Sequence, residues 1–320
     1  TAVADRLEMT RIAIAGNPTP LIVNGLKAAF DLRSEPGPDI RGLAVCFGGR
    51  RIDAGFVAPL AKLEVVSSFG VGYDHIDAAA LAERGIVVTH TPDVLTEEVA
   101  DLTLGLLIAA VRRIPQSDRY LRAGGWLERP YALTSTLRNR KVGILGLGRI
   151  GKAIAQRVQA FGLAVEYHGR HPQPDVAYRY HPTLLGLVRS CDVLVVAASG
   201  GAETKHIVNR EVLEALGPDG IVVNIGRGSV IDEAALIAAL RDGTILGAGL
   251  DVFEDEPRVP AELIAMDQVV LLPHVASASV HTRNAMGQLV VDNLVSWFAG
   301  KGAITPVPEC RALAAARRPG

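Results

Sequence analysis

Short runs of β-branched and apolar residues alternate with helix-like segments along almost the whole chain, and this alternation constrains the fold more than any other feature. It is typical of parallel sheets whose strands are joined by crossover helices. Two series of strands are predicted, at 11–15, 43–47, 64–69 and 86–90 and at 142–146, 164–167, 192–197, 221–225, 247–252 and 269–272. We therefore predict an α/β protein with two doubly wound parallel-sheet domains and a cleft between them.

The helical pattern predicts how the two series are connected. Thr96, followed by Glu97 and Glu98, resembles a helix N-cap with an acidic first turn, so 96–113 is predicted to be the connecting helix. The helical pattern at 280–298 is expected to cross back to the first series. The further helices are predicted at 21–30, 77–83, 150–161, 211–216 and 232–241. The predicted domains are residues 1–101 with 285–320, for substrate binding, and residues 102–284, for dinucleotide binding.

Charge and cysteine content exclude several classes of protein. With 33 basic and 34 acidic residues and no long run of either sign, neither a nucleic-acid partner nor a membrane partner is expected. The apolar stretch 102–111 is too short to span a bilayer, and 1–10 lacks a signal-peptide pattern. Cys46, Cys191 and Cys310 lie far apart, so buried thiols in a cytoplasmic protein are expected, with no metal site.

A glycine-rich motif predicts the dinucleotide site. The predicted strand 142–146 runs into Leu147-Gly148-Arg149-Ile150-Gly151 and then into a helix. Gly146 permits a tight turn, Gly148 lets a pyrophosphate approach the backbone, and Gly151 allows helix and strand to pack closely. The predicted contacts along this loop are Gly146, Leu147, Gly148, Arg149, Ile150 and Gly151.

The end of the next strand indicates which dinucleotide binds. NAD-binding proteins place an acidic residue there, whereas this chain has His168-Gly169-Arg170-His171. Glu166, the nearest acid, lies inside the strand. Arg170 can pair with a 2′-phosphate and Gly169 leaves room for it, so contacts from Gly169, Arg170 and His171 and a preference for NADP(H) over NAD(H) are predicted. A solvated surface role for Arg170 is the alternative, and NAD(H) remains possible.

Three further motifs follow the ends of successive predicted strands: Asn224-Ile-Gly-Arg-Gly228, Asp251-Val-Phe-Glu-Asp-Glu-Pro257 and Leu272-Pro-His274. Together with Phe69-Gly-Val-Gly-Tyr-Asp-His-Ile-Asp77 and the glycine-rich loop, they resemble the D-2-hydroxyacid dehydrogenase family over nearly the whole chain. Ser199-Gly200-Gly201 before Glu203-Thr204, together with Gly169-Arg170-His171, is most similar to the NADPH-dependent glyoxylate and hydroxypyruvate reductases of that family. The resemblance implies a flavodoxin-like substrate domain and a Rossmann cofactor domain.

The resemblance also implies a catalytic set of Arg227, Glu256 and His274. Arg227 would grip the carboxylate and carbonyl of a 2-keto acid through charge-assisted hydrogen bonds. His274 would donate a proton to the carbonyl oxygen as hydride reaches the carbon. Glu256 would hydrogen-bond the other ring nitrogen, which fixes the tautomer and favours imidazolium.

Further contacts follow from the same resemblance. The backbone N–H groups of Val71 and Gly72 would bind the substrate carboxylate, alongside Arg227 and His274. Asp251 and Thr96 are expected near the nicotinamide, and Asp74 and Asp77 are expected to cap the next helix. The cofactor contacts predicted in this half of the chain are Ala198, Thr204, Ile225, Gly226, Arg227, Asp251, His274 and Ala276. Trp126 is either a subunit contact or a substrate lid.

The predicted function is therefore that of an oxidoreductase: NAD(P)H-dependent reduction of glyoxylate or hydroxypyruvate to glycolate or D-glycerate. A D-3-phosphoglycerate or other D-2-hydroxyacid dehydrogenase is one alternative. An NAD(H)-sensing, corepressor-like binding protein is another, because the same fold serves both roles. The resemblance further implies a homodimer held by the connecting helix of the cofactor domain, with a small 2-keto acid as the substrate.

Overall fold

The computed structural model describes residues 7–48 and 50–316. Contacts between Cα atoms divide the chain into two units: one ends at Leu95 and resumes at Ser279, and the other is Thr96–Ala278. The predicted domain boundaries after residues 101 and 284 each lie six residues later, inside helices that belong wholly to one unit. Predictions for residues 1–6 lie outside the described residues.

The elements alternate as the sequence pattern predicts. The strands are β1 (Arg11–Ala15), β2 (Asp31–Arg33), β3 (Gly42–Val45), β4 (Val65–Ser68), β5 (Val87–Thr89), β6 (Lys141–Leu145), β7 (Ala164–His168), β8 (Arg179–His181), β9 (Val193–Val196), β10 (Ile221–Asn224), β11 (Gly247–Leu250) and β12 (Val269–Leu271). The helices are α1 (Pro20–Ala29), α2 (Ala54–Val57), α3 (Ala78–Glu83), α4 (Thr96–Arg112), α5 (Ile114–Arg122), α6 (Arg149–Ala160), α7 (Leu184–Val188), α8 (Arg210–Leu216), α9 (Glu233–Arg241), α10 (Ala261–Ala265), α11 (Val280–Phe298) and α12 (Arg311–Ala316).

The first unit is a five-stranded parallel sheet in the order β2-β1-β3-β4-β5, which is the flavodoxin-like order. Strands β3 and β4 are buried along their whole length. Helix α11 returns to this unit as predicted: Gly25 of α1 packs so closely on it that a Cβ would lie 3.0 Å from the Val291 side chain. The hydroxyl of Ser67 in β4 also donates to the Val290 carbonyl at 3.2 Å.

The second unit is a seven-stranded parallel sheet in the order β12-β11-β10-β9-β6-β7-β8. Its strand order reverses between β6 and β9, as in Rossmann folds. Helix α4 packs on this sheet, where a Cβ on Gly249 would lie 2.8 Å from the Leu106 side chain. Arg157 of α6 holds the same helix by pairing with Glu97 at 2.7 Å and with Asp101 at 2.6 Å.

Some local predictions were wrong. Strands β2 and β8 were missed because each is a three-residue edge strand with charged residues and no apolar run. Asp77 is the N-cap of α3 and accepts from the Ala80 N–H at 3.1 Å, whereas Asp74 lies exposed three residues before it. Thr96 is the first residue of α4 rather than a residue preceding it.

The cysteines are buried and unbridged, as predicted. Burial raises the pKa of the Cys46 and Cys191 thiols to about 12, and it also raises the pKa of Cys310. Among the described helices, none is both long enough and apolar enough to cross a bilayer. The described residues also contain no group of three or more His, Cys, Asp or Glu side chains that could hold a metal ion.

Candidate active site

The carboxyl ends of five neighbouring strands lie along one edge of the second sheet. In the parallel register, Val196 of β9 is opposite both Leu145 of β6 and Asn224 of β10. Leu250 of β11 is opposite both Asn224 and Leu271 of β12. Open α/β sheets bind ligands in the loops that leave this edge. The structure therefore brings the predicted motifs of the second unit to one side of the sheet.

The glycine-rich loop joins β6 to α6 as predicted. Gly146 has a φ of +94°, and a Cβ there would lie 2.8 Å from the backbone of Ala198. A Cβ on Gly151 would lie 2.2 Å from the carbonyl oxygen of Gly146, so only glycine lets α6 begin this close to the turn. At Gly148, the N-cap of α6, a Cβ would meet no atom within 4 Å.

The space at Gly148 fits a pyrophosphate. It lies at the N-terminus of a 12-residue helix, whose first N–H groups have no acceptor inside the helix. The first turn carries no acidic side chain and contains Arg149 and Ile150. Leu147 is buried, and its carbonyl accepts from Gln173 at 2.6 Å, which ties this loop to the segment after β7.

The acid inside β7, Glu166, is already engaged in hydrogen bonds. Glu166 is buried, and its Oε2 accepts from the Ser190 hydroxyl at 2.7 Å and bonds His181 Nε2 at 2.5 Å. Burial would raise the pKa of Glu166, but the hydrogen bonds from Ser190 and His181 outweigh it and hold that pKa below its ordinary value. Glu166 is therefore ionised and satisfied within the fold.

The residues that follow β7 carry exposed basic side chains instead of an acid. His168 donates from Nδ1 to the His181 carbonyl at 2.8 Å, and the Gly169 carbonyl accepts from Tyr180 at 3.2 Å. Arg170 and His171 are exposed. Within the described part of the chain, no hydrogen bond or ion pair engages Arg170. This strand end therefore offers a cation where NAD-binding proteins offer a carboxylate.

A buried asparagine shapes the loop that carries Arg227. Asn224 accepts from the Gly226 N–H at 3.0 Å and donates to the Arg227 carbonyl at 3.0 Å. A Cβ on Gly226 would lie 2.6 Å from the Ala198 carbonyl oxygen, and one on Gly228 would lie 1.9 Å from the Phe253 carbonyl carbon. The Arg227 loop therefore touches both the end of β9 and the loop after β11. This role of Asn224 is not predicted from the sequence, where the residue stands only as the first position of the Asn224-Ile-Gly-Arg-Gly228 motif.

Glu256 and His274 form the pair that the sequence predicts. Oε2 of Glu256 lies 2.7 Å from Nδ1 of His274, and Oε1 accepts from the Phe253 N–H at 3.0 Å. Burial raises the pKa of Glu256, but the bond with His274, the backbone donor and the charge of Arg227 together hold it below its ordinary value. The three predicted catalytic residues are thus brought together in one electrostatic cluster.

Asp251 holds the backbone of the histidine segment. Its side chain is fully buried and accepts from the N–H groups of Val275 at 2.8 Å and Ala276 at 2.9 Å. The backbone carbonyl of Asp251 accepts from the N–H of His274 at 2.9 Å. His274 has a φ of +52°, which is an uncommon conformation for histidine. Burial raises the pKa of Asp251, although the two backbone donors lower it. Asp251 therefore positions His274 through the backbone.

The other predicted cofactor contacts lie around the same edge. Ala198 backs the glycine-rich loop, Ile225 is buried, and the Ala276 N–H is bound to Asp251. The Thr204 hydroxyl donates to the Ser199 carbonyl at 2.7 Å, and this bond joins the two ends of the loop 199–204 after β9.

The first unit carries the other predicted substrate residues in a loop after β4. Gly70 has a φ of +156°, and Val71 and Gly72 are half-buried. The N–H groups of Val71 and Gly72 donate to no acceptor within the described residues. Two successive backbone donors of this kind can bind an anion.

Comparison with known proteins identifies the relatives of the chain. Residues 104–276 match the family model described as D-isomer specific 2-hydroxyacid dehydrogenase, NAD binding domain. The chain is 52% identical over 255 residues to a glyoxylate/hydroxypyruvate reductase A of Arabidopsis thaliana, covering 80% of this chain and 82% of that protein. It is 49% identical over 255 residues to a hydroxyphenylpyruvate reductase of Plectranthus scutellarioides, with the same coverage of 80% and 82%.

A solved structure is similar over nearly the whole chain. This is an NADPH-dependent glyoxylate/hydroxypyruvate reductase from Sinorhizobium meliloti, crystallised in complex with NADP and malonate. The TM-score is 0.90 at 48% sequence identity, and the match covers 94% of this chain and 97% of that chain.

The open space at Gly148 generates a prediction for Gly148→Ala. The added methyl group meets no protein atom, so the thermal midpoint should stay within about 2 °C of wild type. It would occupy the space of the pyrophosphate, so the Kd for NADPH should rise at least about tenfold. Calorimetry measures the Kd and scanning fluorimetry the midpoint. Gly105→Ala, where the Cβ also meets nothing, is the matched control and should leave the Kd unchanged.

Proposed function

This chain belongs to the D-isomer specific 2-hydroxyacid dehydrogenase family, and we propose that it reduces small 2-keto acids, above all glyoxylate and hydroxypyruvate, with NADPH. The products are the corresponding 2-hydroxy acids, glycolate and D-glycerate. The observation that carries this proposal is the 2.7 Å hydrogen bond between His274 and Glu256, made beside the charge of Arg227. A proton donor, the carboxylate that orients it and a cation for an anionic substrate are the groups that this reaction needs.

The proposed mechanism gives each residue one task. When held by the glycine-rich loop and Arg170, the dinucleotide would supply the hydride for the carbonyl carbon of the substrate. Arg227 binds the substrate carboxylate and polarises the carbonyl. His274, oriented through Nδ1, donates the proton on Nε2 to the carbonyl oxygen, so the alcohol forms without a free alkoxide. Glu256 is ionised because its pKa is lowered, and it stabilises the imidazolium before the transfer.

The substrate carboxylate is also proposed to accept from the N–H groups of Val71 and Gly72. These donors need an acceptor that the described residues do not supply. Asp251 keeps the histidine segment in place, and the remaining predicted contacts, among them Ala198, Ile225 and Ala276, are proposed to line the dinucleotide site.

Replacement of His274 by Ala tests the mechanism. Loss of the proton donor should lower kcat by about 10² to 10⁴-fold with glyoxylate or hydroxypyruvate. The Kd for NADPH should change by less than about threefold, because the phosphate loop is untouched. Stopped-flow or steady-state NADPH oxidation measures the rate, and calorimetry measures the Kd.

A control and a substrate panel complete this test. His281→Ala removes an exposed imidazole and should leave kcat unchanged. The panel contains glyoxylate, hydroxypyruvate, 4-hydroxyphenylpyruvate and 3-phosphohydroxypyruvate, each with both cofactors. Turnover near wild type in His274→Ala would remove that residue from the mechanism. If no member of the panel supported NADPH oxidation, the proposed function would be contradicted and a binding protein would be favoured.

We further propose that Arg170 selects NADPH. Its guanidinium is exposed, and it forms no hydrogen bond or ion pair within the described part of the chain. Glu166, the carboxylate within β7, is satisfied by Ser190 and His181, so it does not compete for this cation. Gly169 and His171 flank Arg170 and are proposed to contact the adenosine phosphate with it.

Arg170→Ala should therefore lower kcat/KM for NADPH by about tenfold or more, since a charge-assisted contact with the 2′-phosphate is lost. The value for NADH should change by less than about threefold. Arg179→Ala is the matched control. Arg179 is also exposed, but it lies in β8 opposite Glu166 in the register of the sheet, and so away from the end of β7. Equal losses with both cofactors would assign Arg170 no part in selection.

We also propose a homodimer in the cytoplasm. The buried, unbridged cysteines support a reducing compartment. Apolar side chains are exposed along the segment after α5: Trp126 is 69% exposed, Leu127 93% and Leu133 102%. Exposed apolar side chains of this kind are typical of a surface that another chain covers. Trp126 is proposed to act as a subunit contact.

The double variant Leu127→Asp with Leu133→Asp should shift the protein from dimer to monomer at micromolar concentration, because it places two charges on the apolar segment. Light scattering after gel filtration measures the mass. Ile264→Asp changes a similarly exposed apolar side chain of the same unit and should leave the mass unaltered. A monomeric wild type would exclude the dimer.

A further inference from the structure

The loop proposed to bind the substrate carboxylate is held by the residues that follow β5. The Gly70 carbonyl accepts from the Thr91 N–H at 2.9 Å. The next carbonyl, that of Val71, accepts from Nδ1 of His90, also at 2.9 Å. Two successive peptide groups of the loop are therefore held by two successive residues, one through the backbone and one through a side chain.

This arrangement determines where two N–H groups point. The carbonyl of Gly70 and the N–H of Val71 belong to one peptide group, and the carbonyl of Val71 and the N–H of Gly72 belong to the next. Both bonds are trans, so within each group the carbonyl and the N–H point in opposite directions. With the two carbonyls bound toward the end of β5, both N–H groups face the other way.

The ring and the backbone of His90 are held by different neighbours. It packs edge-on against the Tyr73 ring, with the centroids 5.5 Å apart and an interplanar angle of 85°. The Tyr73 hydroxyl donates to Glu309 at 3.1 Å. The backbone carbonyl of His90 accepts from the Thr305 hydroxyl at 2.5 Å, and its N–H donates to the Thr305 carbonyl at 3.1 Å. Tyr73 thus packs on the imidazole that donates to the Val71 carbonyl, whereas Thr305 bonds only the backbone of His90.

We infer that His90 is a positioning residue for substrate binding: by donating from Nδ1 to the Val71 carbonyl, it orients and polarises the peptide whose N–H, that of Gly72, binds the substrate carboxylate. The inference rests on the proposed function of that loop. A hydrogen bond accepted by a carbonyl strengthens the donor at the other end of the same peptide, because hydrogen bonds in a chain polarise one another. Among the described residues, no other group bonds the Val71–Gly72 peptide and prevents its rotation.

The effect should appear in substrate affinity rather than in the chemical step. His90→Ala should raise KM for glyoxylate by about tenfold, which corresponds to about 1.4 kcal/mol. The value of kcat should change by less than about threefold, and the Kd for NADPH by less than about twofold. His90→Asn should restore KM to within about threefold of wild type, because its carboxamide nitrogen is attached at the same position as Nδ1 and can donate to the same carbonyl.

A matched control distinguishes positioning of the Val71–Gly72 peptide by the His90 ring from general destabilisation of the fold. Thr305→Val removes the hydroxyl bond to the backbone of His90 but leaves the donor to the Val71 carbonyl in place. Its thermal midpoint should fall, and its KM should stay within about twofold of wild type. If Thr305→Val raised KM as much as His90→Ala, the effect would be general destabilisation and the inference would be wrong.

A second measurement keeps the inference independent of turnover. Oxalate, a dicarboxylate with no reducible carbonyl, serves as the probe, and calorimetry measures its Kd for the full-length protein with saturating NADP⁺. Oxalate should bind about tenfold more weakly to His90→Ala and normally to His90→Asn. Unchanged binding to both variants would overturn the inference. A wild type that binds oxalate in this way but reduces no 2-keto acid would contradict only the proposed function.

Discussion

Parallel pairing of the strands is the constraint on which the rest of this structure depends. A parallel sheet requires crossover connections, so each face is covered by helices and the strands are apolar on both sides. Every strand then ends at the same edge, and polar chemistry is confined to the loops that leave it. In the second unit these loops follow β6, β7, β9, β10, β11 and β12, and they carry all the residues of the proposed reaction except Val71 and Gly72.

Close backbone packing at that edge leaves little freedom for the loops. Gly228 is pressed against the Phe253 carbonyl, and Gly226 against that of Ala198. The buried Asn224 and Asp251 then satisfy backbone groups that no strand reaches. Orphaned backbone donors and acceptors cost about 1–3 kcal/mol each when buried, so these two side chains stabilise the loops as well as shape them. The catalytic side chains project from loops whose backbone is already determined.

Features that depend on a contiguous stretch of residues can be predicted from the sequence. The glycine-rich loop, the Arg227, Glu256 and His274 motifs and the long helix α11 are all contiguous signals, and the structure contains them where they were expected. The missed features depend on distant partners. The role of His90 requires the Val71 carbonyl, 19 positions earlier in the chain, and nothing in the residues around His90 indicates it. Strand β8 is polar and short, and it forms only because β7 offers a free edge.

The buried cluster around Glu166 shows how a distant partner changes the meaning of a residue. By sequence alone, Glu166 is set apart from the ribose-binding acid of NAD-binding proteins only by its position inside the strand rather than at its end. In the structure, its Oε2 is bonded by Ser190 from the α7–β9 connection and by His181 from β8. Both donors stabilise the carboxylate in place, and the lowered pKa of Glu166 reflects that. The negative charge is therefore compensated within the sheet, and the electrostatic character of the strand end is left to the exposed Arg170.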